Sequence, residues 1–198
     1  VVYGLLLKAT TGLSPGILRS KMRRVWAFAF STASSGATLP ITLRTVEKRL
    51  GVPKSVAGFA IPLGATVNMD GTAIMQGVAT VFIAQVYGIE LSAMQLLMVI
   101  LTATLASIGT AAVPGVGLIT LSLVLTQAGL PVEGVALIIG VDRLLDMIRT
   151  AVNVTGDATV ATIVAYREGQ LDETIYNDPD ADSEMGSEAA AAESSEVS

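Results

Sequence analysis

Along 137–164 the chain is apolar except for a line of polar positions: Asp142, Asp146, Arg149, Asn153 and Asp157. At about 100° per residue these five fall within an arc of roughly 80° on one helix face, while Leu144, Leu145, Ile148, Val152 and Val160 mostly occupy the rest. A helix on a soluble protein has a wide polar face, so a narrow charged seam predicts surroundings of lipid or protein, with the seam turned toward something polar. Each intramembrane charge costs about 2.5–3.5 kcal/mol on insertion scales, which makes the seam a candidate functional site. The competing reading is a buried ion-pair network in a soluble core.

The remaining hydrophobic runs are interrupted in ways that straight helices do not tolerate. Basic residues cluster at Arg19, Lys21, Arg23 and Arg24, and again at Arg44, Lys48, Arg49 and Lys54. Both clusters are expected on the cytoplasmic side. The roughly 19 residues between them suffice for one crossing of an apolar core about 30 Å thick and not for two. If both ends are inside, the segment enters and returns, with its turn at Ser34-Ser35-Gly36 and Pro40 shortly after. Irregular backbone at membrane depth needs protein or a water-filled cavity around it, which is the setting of a re-entrant hairpin tip. One straight helix with a serine patch is the alternative.

The stretch 55–87 is long enough to cross but is broken by Asn68-Met69-Asp70-Gly71-Thr72, residue types that favour non-helical backbone. Two half-helices meeting there would expose free carbonyls and amides beside the Asp70 carboxylate, a ready site for a small cation, unless neighbours seal the kink. Tyr87-Gly88-Ile89-Glu90 marks the outer surface. In 94–127 the small-residue run from Ser107 through Pro114 to Gly117 again divides two apolar segments, predicting a second hairpin entered from outside. Gly129-Leu130-Pro131 then turns the chain into the seamed helix, which leaves on the cytoplasmic side at Arg167.

Composition agrees with a membrane setting and closes several chemistries. The 198 residues are 52% hydrophobic with mean hydropathy +0.64, against about 45–50% apolar residues in ordinary globular domains. There is no cysteine and no histidine, so disulfides, thiolate chemistry, zinc sites and Ser-His-Asp triads are excluded. The net charge of −5 divides unevenly: from Arg167 onward lie ten of the 17 acids and one of the 12 bases, leaving 1–166 with seven acids, eleven bases and a net +4. The acidic end, with Asp178-Pro179-Asp180 and the alanine run 189–192, is expected to be a disordered cytoplasmic tail. Without a charged start, 1–8 reads as the end of a helix that begins upstream, and the chain as the C-terminal part of a longer protein.

The expected architecture is an all-α membrane protein with two re-entrant helical hairpins plus one broken and one continuous transmembrane helix, forming an inverted-repeat transport domain. Its expected segments are 1–18, the end of a preceding helix and linker; 19–54, the first hairpin; 55–90, the broken helix; 91–131, the second hairpin as extracellular gate; 132–167, the seamed helix; and 168–198, the tail. Hairpin tips from opposite faces meeting polar helix breaks near the midplane are the pattern of a secondary transporter.

Four motifs carry a resemblance: Ser34-Ser35-Gly36-Ala37-Thr38-Leu39-Pro40, Asn68-Met69-Asp70-Gly71-Thr72, Ala106-Ser107-Ile108-Gly109-Thr110, and Asp146-Met147-Ile148-Arg149-Thr150-Ala151-Val152-Asn153-Val154-Thr155-Gly156-Asp157. In this order, over roughly 15–170, they resemble the excitatory amino acid transporter family, the sodium:dicarboxylate symporters. The resemblance implies a multi-pass cell-membrane protein, a homotrimer held by an upstream scaffold, and a transport domain that moves like an elevator. It implies no enzyme activity and no nucleic-acid partner; lipid surrounds the protein.

The resemblance also implies roles for particular residues. Arg149 pairs with the substrate's side-chain carboxylate, suiting the bidentate fork of a guanidinium. Asp146 holds the amino group, Thr72, Thr150 and Asn153 make further contacts, and Ser35 meets the α-carboxylate. Ala111, Ala112, Val113, Pro114 and Gly115 form the gate. Sodium ions are implied at Asp157 with the carbonyls of Gly64, Asn68 and Asn153; at Thr66, Ser107, Ile108 and Thr110 beside Met69; and at Asp70 with the Asn68 side chain, completed from an upstream helix. Ala33, Gly36 and Ala112 depart from the family pattern, which bears on affinity and gating. The function implied is sodium-coupled symport of L-aspartate or L-glutamate. Dicarboxylates or small neutral amino acids are the alternative substrates, and an intramembrane aspartyl protease using Asp142 and Asp146 is the remote one.

Overall fold

One helix touches nearly every other part of the molecule. In a computed structural model that describes residues 1–108, 112–179 and 181, α9 (Val135–Arg167) packs against the first helix and all three helix pairs described below. It follows a single 3-10 turn over Val132–Gly134, set by Pro131. At 1.5 Å per residue its 33 residues span about 50 Å.

The elements before it are shorter because capping and breaking residues punctuate the sequence. Helix α1 (Val2–Thr11) ends at Gly12 in the left-handed region, and α2 (Pro15–Lys21) starts with proline at its first position, where no amide donor is needed. Helices α3 (Arg23–Thr32) and α4 (Ser35–Lys48) pack together on either side of a tip. There Ala33 has φ 49°, the one non-glycine residue with positive φ among those described, and the Ser34 hydroxyl caps α4 by accepting from Ala37 N at 3.1 Å. Helices α5 (Lys54–Val67) and α6 (Asp70–Val86) meet at Asn68 and Met69, both outside helical geometry. Helix α7 (Ala93–Ser107) opens with a capping box between Ser92 and Gln95, and α8 (Val116–Ala128) begins after Gly115 at φ 79°. A final turn, α10 (Glu173–Asn177), is capped by Asp172.

Two apolar clusters divide the interior. One joins α1–α5, α10 and the C-terminal half of α9 through Val154, Ala158, Ala161 and Ala165; the other joins α6–α8 to the N-terminal half through Ile138. The polar seam of α9 lies between them. The outside is apolar, with Phe59 (70% exposed), Ile119 (68%), Ile100 (64%) and Leu144 (58%) among its large residues. Continuous apolar exposure on this scale marks a surface that meets lipid or other protein.

Among the described residues no helix is long and apolar enough to cross a membrane. Helix α9 has the length but carries Asp142, Arg143, Asp146, Arg149 and Asp157, and every other helix has 17 residues or fewer. The expected continuous apolar span is therefore not found, because the polar breaks divide the chain into half-length helices. Of the expected disordered tail at 168–198, residues 168–179 are ordered, carrying a last helical turn and the fully buried Tyr176, while 180 and 182–198 lie outside the described residues.

Candidate functional site

All five seam residues are buried, between 2% and 8% exposed. Burying five polar residues on one helix is costly unless each finds a partner. The helix breaks supply partners to Asp146, Asn153 and Asp157, whereas Asp142 Oδ1 is buried with none among the described residues. Asp146 accepts from the Gly115 amide through Oδ2 at 2.8 Å and forms an ion pair with Arg149 through Oδ1. Arg149 Nη1 is buried with no partner among the described residues. Its guanidinium lies against Gly117 of α8: a β-carbon there would overlap Nη1 and stand 2.7 Å from Cζ, so only glycine lets the side chain past. Asn153 accepts from the Gly71 amide at 2.8 Å, while its Nδ2 lies 3.1 Å from Met69 Sδ and 3.4 Å from Thr72 Oγ1.

The two tips meet above this row. The Ala112 carbonyl accepts from the Ser34 hydroxyl at 2.7 Å and from the Gly36 amide at 3.2 Å. Beneath that contact, Ser35, Met69, Thr72, Asp146, Arg149, Thr150 and Asn153 line a cavity of about 10 Å³, together with Ala33, Ala112, Val113 and Val116. That volume is near the minimum for one water, so any larger guest needs the tip to withdraw. Six of the substrate-contact candidates named from the sequence, and gate residues Ala112 and Val113, thus border one space. Gly115 joins them through its amide, whereas Pro114 is not among the residues that line the cavity. Ala111 lies outside the described residues.

The cation candidates do not all converge. Asn68 Nδ2 donates to Asp157 Oδ1 at 2.9 Å, and Gly64 lies so close to that carboxylate that a β-carbon would overlap it. The Gly64 carbonyl is already engaged by the Asn68 amide at 2.8 Å, in the last turn of α5. Asp70 is apart, exposed to a cleft of about 740 Å³ that Ser107 and Ile108 also line. Met69 is buried beside Thr72 and Asn153. Thr66 is exposed, its hydroxyl returned to the Leu63 carbonyl, and the Ser107 hydroxyl is returned to Thr104. Thr110 lies outside the described residues. No group of three or more acidic side chains gathers as a metal cluster among the described residues, so a cation here would rely on backbone and amide oxygens as well.

Sequence reasoning missed two partners. Tyr3 of α1 donates to Asp70 Oδ2 at 2.6 Å, and Ser34, not Ser35, makes the bond between the tips. Nothing in the periodicity of 1–8 marks Tyr3. The N-cap position of Ser34, three residues before Ala37, is the only local signal for its role.

A polar row enclosed by two helix-pair tips, inside a body that is apolar outside, is the arrangement expected of a secondary transporter. Comparison with known proteins gives the family. The model of the sodium:dicarboxylate symporter family matches residues 1–167, and the chain belongs to that family. An excitatory amino acid transporter of Caenorhabditis elegans is 52% identical over 169 residues, 85% of this chain and 34% of that protein. Human excitatory amino acid transporter 2 is 52% identical over 143 residues, covering 72% and 25% of the two chains, and human excitatory amino acid transporter 1 is 45% identical over 166 residues, covering 84% and 31%. The chain spans about a third or less of the length of these curated relatives. Family and relatives are transporters, not enzymes, which sets aside the protease reading of Asp142 and Asp146.

Proposed function

We propose that the chain is the C-terminal part of the transport domain of a multi-pass membrane symporter that carries an acidic amino acid, aspartate or glutamate, together with sodium ions. Helices α3–α4 and α7–α8 are its two re-entrant hairpins, α5–α6 its broken helix and α9 its seamed helix, within a homotrimer whose scaffold lies upstream. The observation that carries this reading is the buried Asp146–Arg149 pair facing a small cavity between the two tips, with one guanidinium nitrogen unpartnered among the described residues.

An acidic amino acid offers each of these residues a substitute partner. Its amino group replaces Arg149 beside Asp146, and its side-chain carboxylate takes both nitrogens of Arg149, including the one now without an acceptor. The α-carboxylate then meets Ser35 and the tips, while Thr72, Thr150 and Asn153 complete the lining. Entry needs the α7–α8 tip to withdraw, breaking the Ser34–Ala112 and Gly115–Asp146 bonds, which makes that tip the gate. Sodium ions are cargo held by Asp157 with Asn68, Gly64 and Asn153, by Asp70 with Asn68, and by the backbone around Met69, Thr66 and Ser107–Thr110. Coupling follows if ions and substrate stabilise the same closed tip. An elevator movement of the whole domain then carries both across.

The test is uptake of labelled aspartate by the full-length protein in liposomes, with and without a sodium gradient, and with glutamate, serine and succinate as competitors. Sodium-dependent uptake blocked by glutamate and weakly by serine is expected. Uptake indifferent to sodium, or blocked best by succinate or serine, would reject the assignment.

A further inference from the structure

At the break between α5 and α6 two carboxylates meet neutral donors across long stretches of chain. Asn68 holds Asp157, and the Tyr3 hydroxyl, 67 residues earlier than its partner, holds Asp70. The 2.6 Å separation lies in the range of strong charge-assisted O–H···O⁻ bonds. Both donors depend on one missing side chain. A β-carbon at Gly156 of α9 would stand 2.6 Å from Tyr3 Oη and would run into Asn68 Nδ2. The residue beside Asp157 is thus small enough to let the donors of both carboxylates reach them. Helix α1, which carries the phenol, packs against α9.

We propose that Tyr3 is a positioning residue for a sodium ion at Asp70, an inference that rests on the sodium-symport reading and adds α1 to the elements that build the ion site. Asp70 is the first residue of α6 and is exposed to the cleft, so its carboxylate is free to sample several rotamers unless something fixes it. The phenol proton occupies one lone pair of Oδ2 and sets the carboxylate plane. The other carboxylate lone pairs, and those of the phenol oxygen, remain available to a cation. Ordering the ligand before the ion arrives raises affinity without adding charge. It also ties occupancy of the site to the position of α1, a helix that none of the four sequence motifs includes.

Tyr3→Phe in the full-length protein keeps the ring and deletes the donor. The readout is the sodium concentration giving half-maximal aspartate binding by calorimetry, compared with aspartate affinity at saturating sodium. We expect the first to rise about tenfold, equivalent to about 1.4 kcal/mol, and the second to change less than about twofold. Gly156→Ala, which crowds the same hydroxyl and the Asn68 amide, should shift sodium dependence in the same direction. An unchanged or lowered sodium requirement in Tyr3→Phe overturns the proposal, as does an equal loss at limiting and saturating sodium, the mark of a structural role. Wild-type binding that ignores sodium would instead defeat the symport reading itself.

Discussion

Arg149 is a residue of the cavity whose hydrogen-bonding needs are not fully met among the described residues. It is buried, among the described residues its side chain bonds only Asp146, and a carboxylate presented by a guest would satisfy the nitrogen left over. Removing one partner of such a pair costs about 2–5 kcal/mol, so Arg149→Ala should weaken aspartate binding by a factor of roughly 30 or more. Serine and alanine, with no second carboxylate to strand, should lose far less. Titrations on the purified full-length protein check this, and equal losses would make Arg149 a structural partner of Asp146. Glycines give a sharper contrast. Gly117→Ala puts a methyl where the guanidinium lies and should cost acidic-substrate affinity although alanine itself removes no contact. Gly77→Ala, with nothing within 4 Å, should stabilise α6 by about 0.5–1 kcal/mol in a melting experiment.

At the scale of elements, the tips are joined among the described residues through one acceptor, the Ala112 carbonyl, and Ser34 serves both as its donor and as the cap of α4. Ser34→Ala removes both bonds. A lost N-cap is worth about 1 kcal/mol, so the variant should melt slightly earlier and release bound substrate several-fold faster, measured by displacement kinetics. Melting without faster release would confine Ser34 to capping. The α5–α6 break reaches α9 through Asn68 and Asp157, and Asp157→Asn should raise the sodium needed for substrate binding while excess sodium partly restores it. A uniform loss of affinity at all sodium concentrations would argue against a cation there. The helix breaks and the buried seam are legible in the sequence because each is local: a period near 3.6, or a Gly-Pro-Asn cluster. The union of Ser34 with Ala112, or of Tyr3 with Asp70, is not, because it joins residues 78 and 67 positions apart and leaves no periodic trace. The basic clusters predict only a side of the membrane, and nothing in them marks the one member that is fully buried.

Lys21 is the exception within those clusters, and it governs how the whole molecule is closed at one end. Its side chain is 1% exposed, and Nζ donates to the carbonyls of Arg49, Ile175 and Tyr176 at 2.6, 2.6 and 2.8 Å. The Arg49 guanidinium donates back to the Lys21 carbonyl, and the Tyr176 hydroxyl to the Ser14 carbonyl. Asp172 N bonds the Gly51 carbonyl, where positive φ and the nearby Asp172 backbone admit only glycine. The stretch after α9 therefore clasps the α2–α3 junction to the α4–α5 loop. Burial pushes the Tyr176 phenol up to about 12. Its folded value exceeds its unfolded one, so the contribution is complete below about pH 10 and disappears as pH rises toward 12; Tyr176→Phe should flatten that part of the melting profile. Lys21→Met strands three carbonyls, at about 1–3 kcal/mol for each buried group left unsatisfied, and should lower the melting temperature by several degrees. Truncation separates the clasp from the acidic tail beyond it. A full-length protein ending after Gln170 loses Asp172 and Tyr176 together with two of the three carbonyls around Lys21, and should melt at least as early as Lys21→Met. One ending after Pro179 keeps every bond of the clasp and should melt like the intact chain. If the two truncations melted alike, the last turn would be a passenger and α9 would hold this end of the molecule without it.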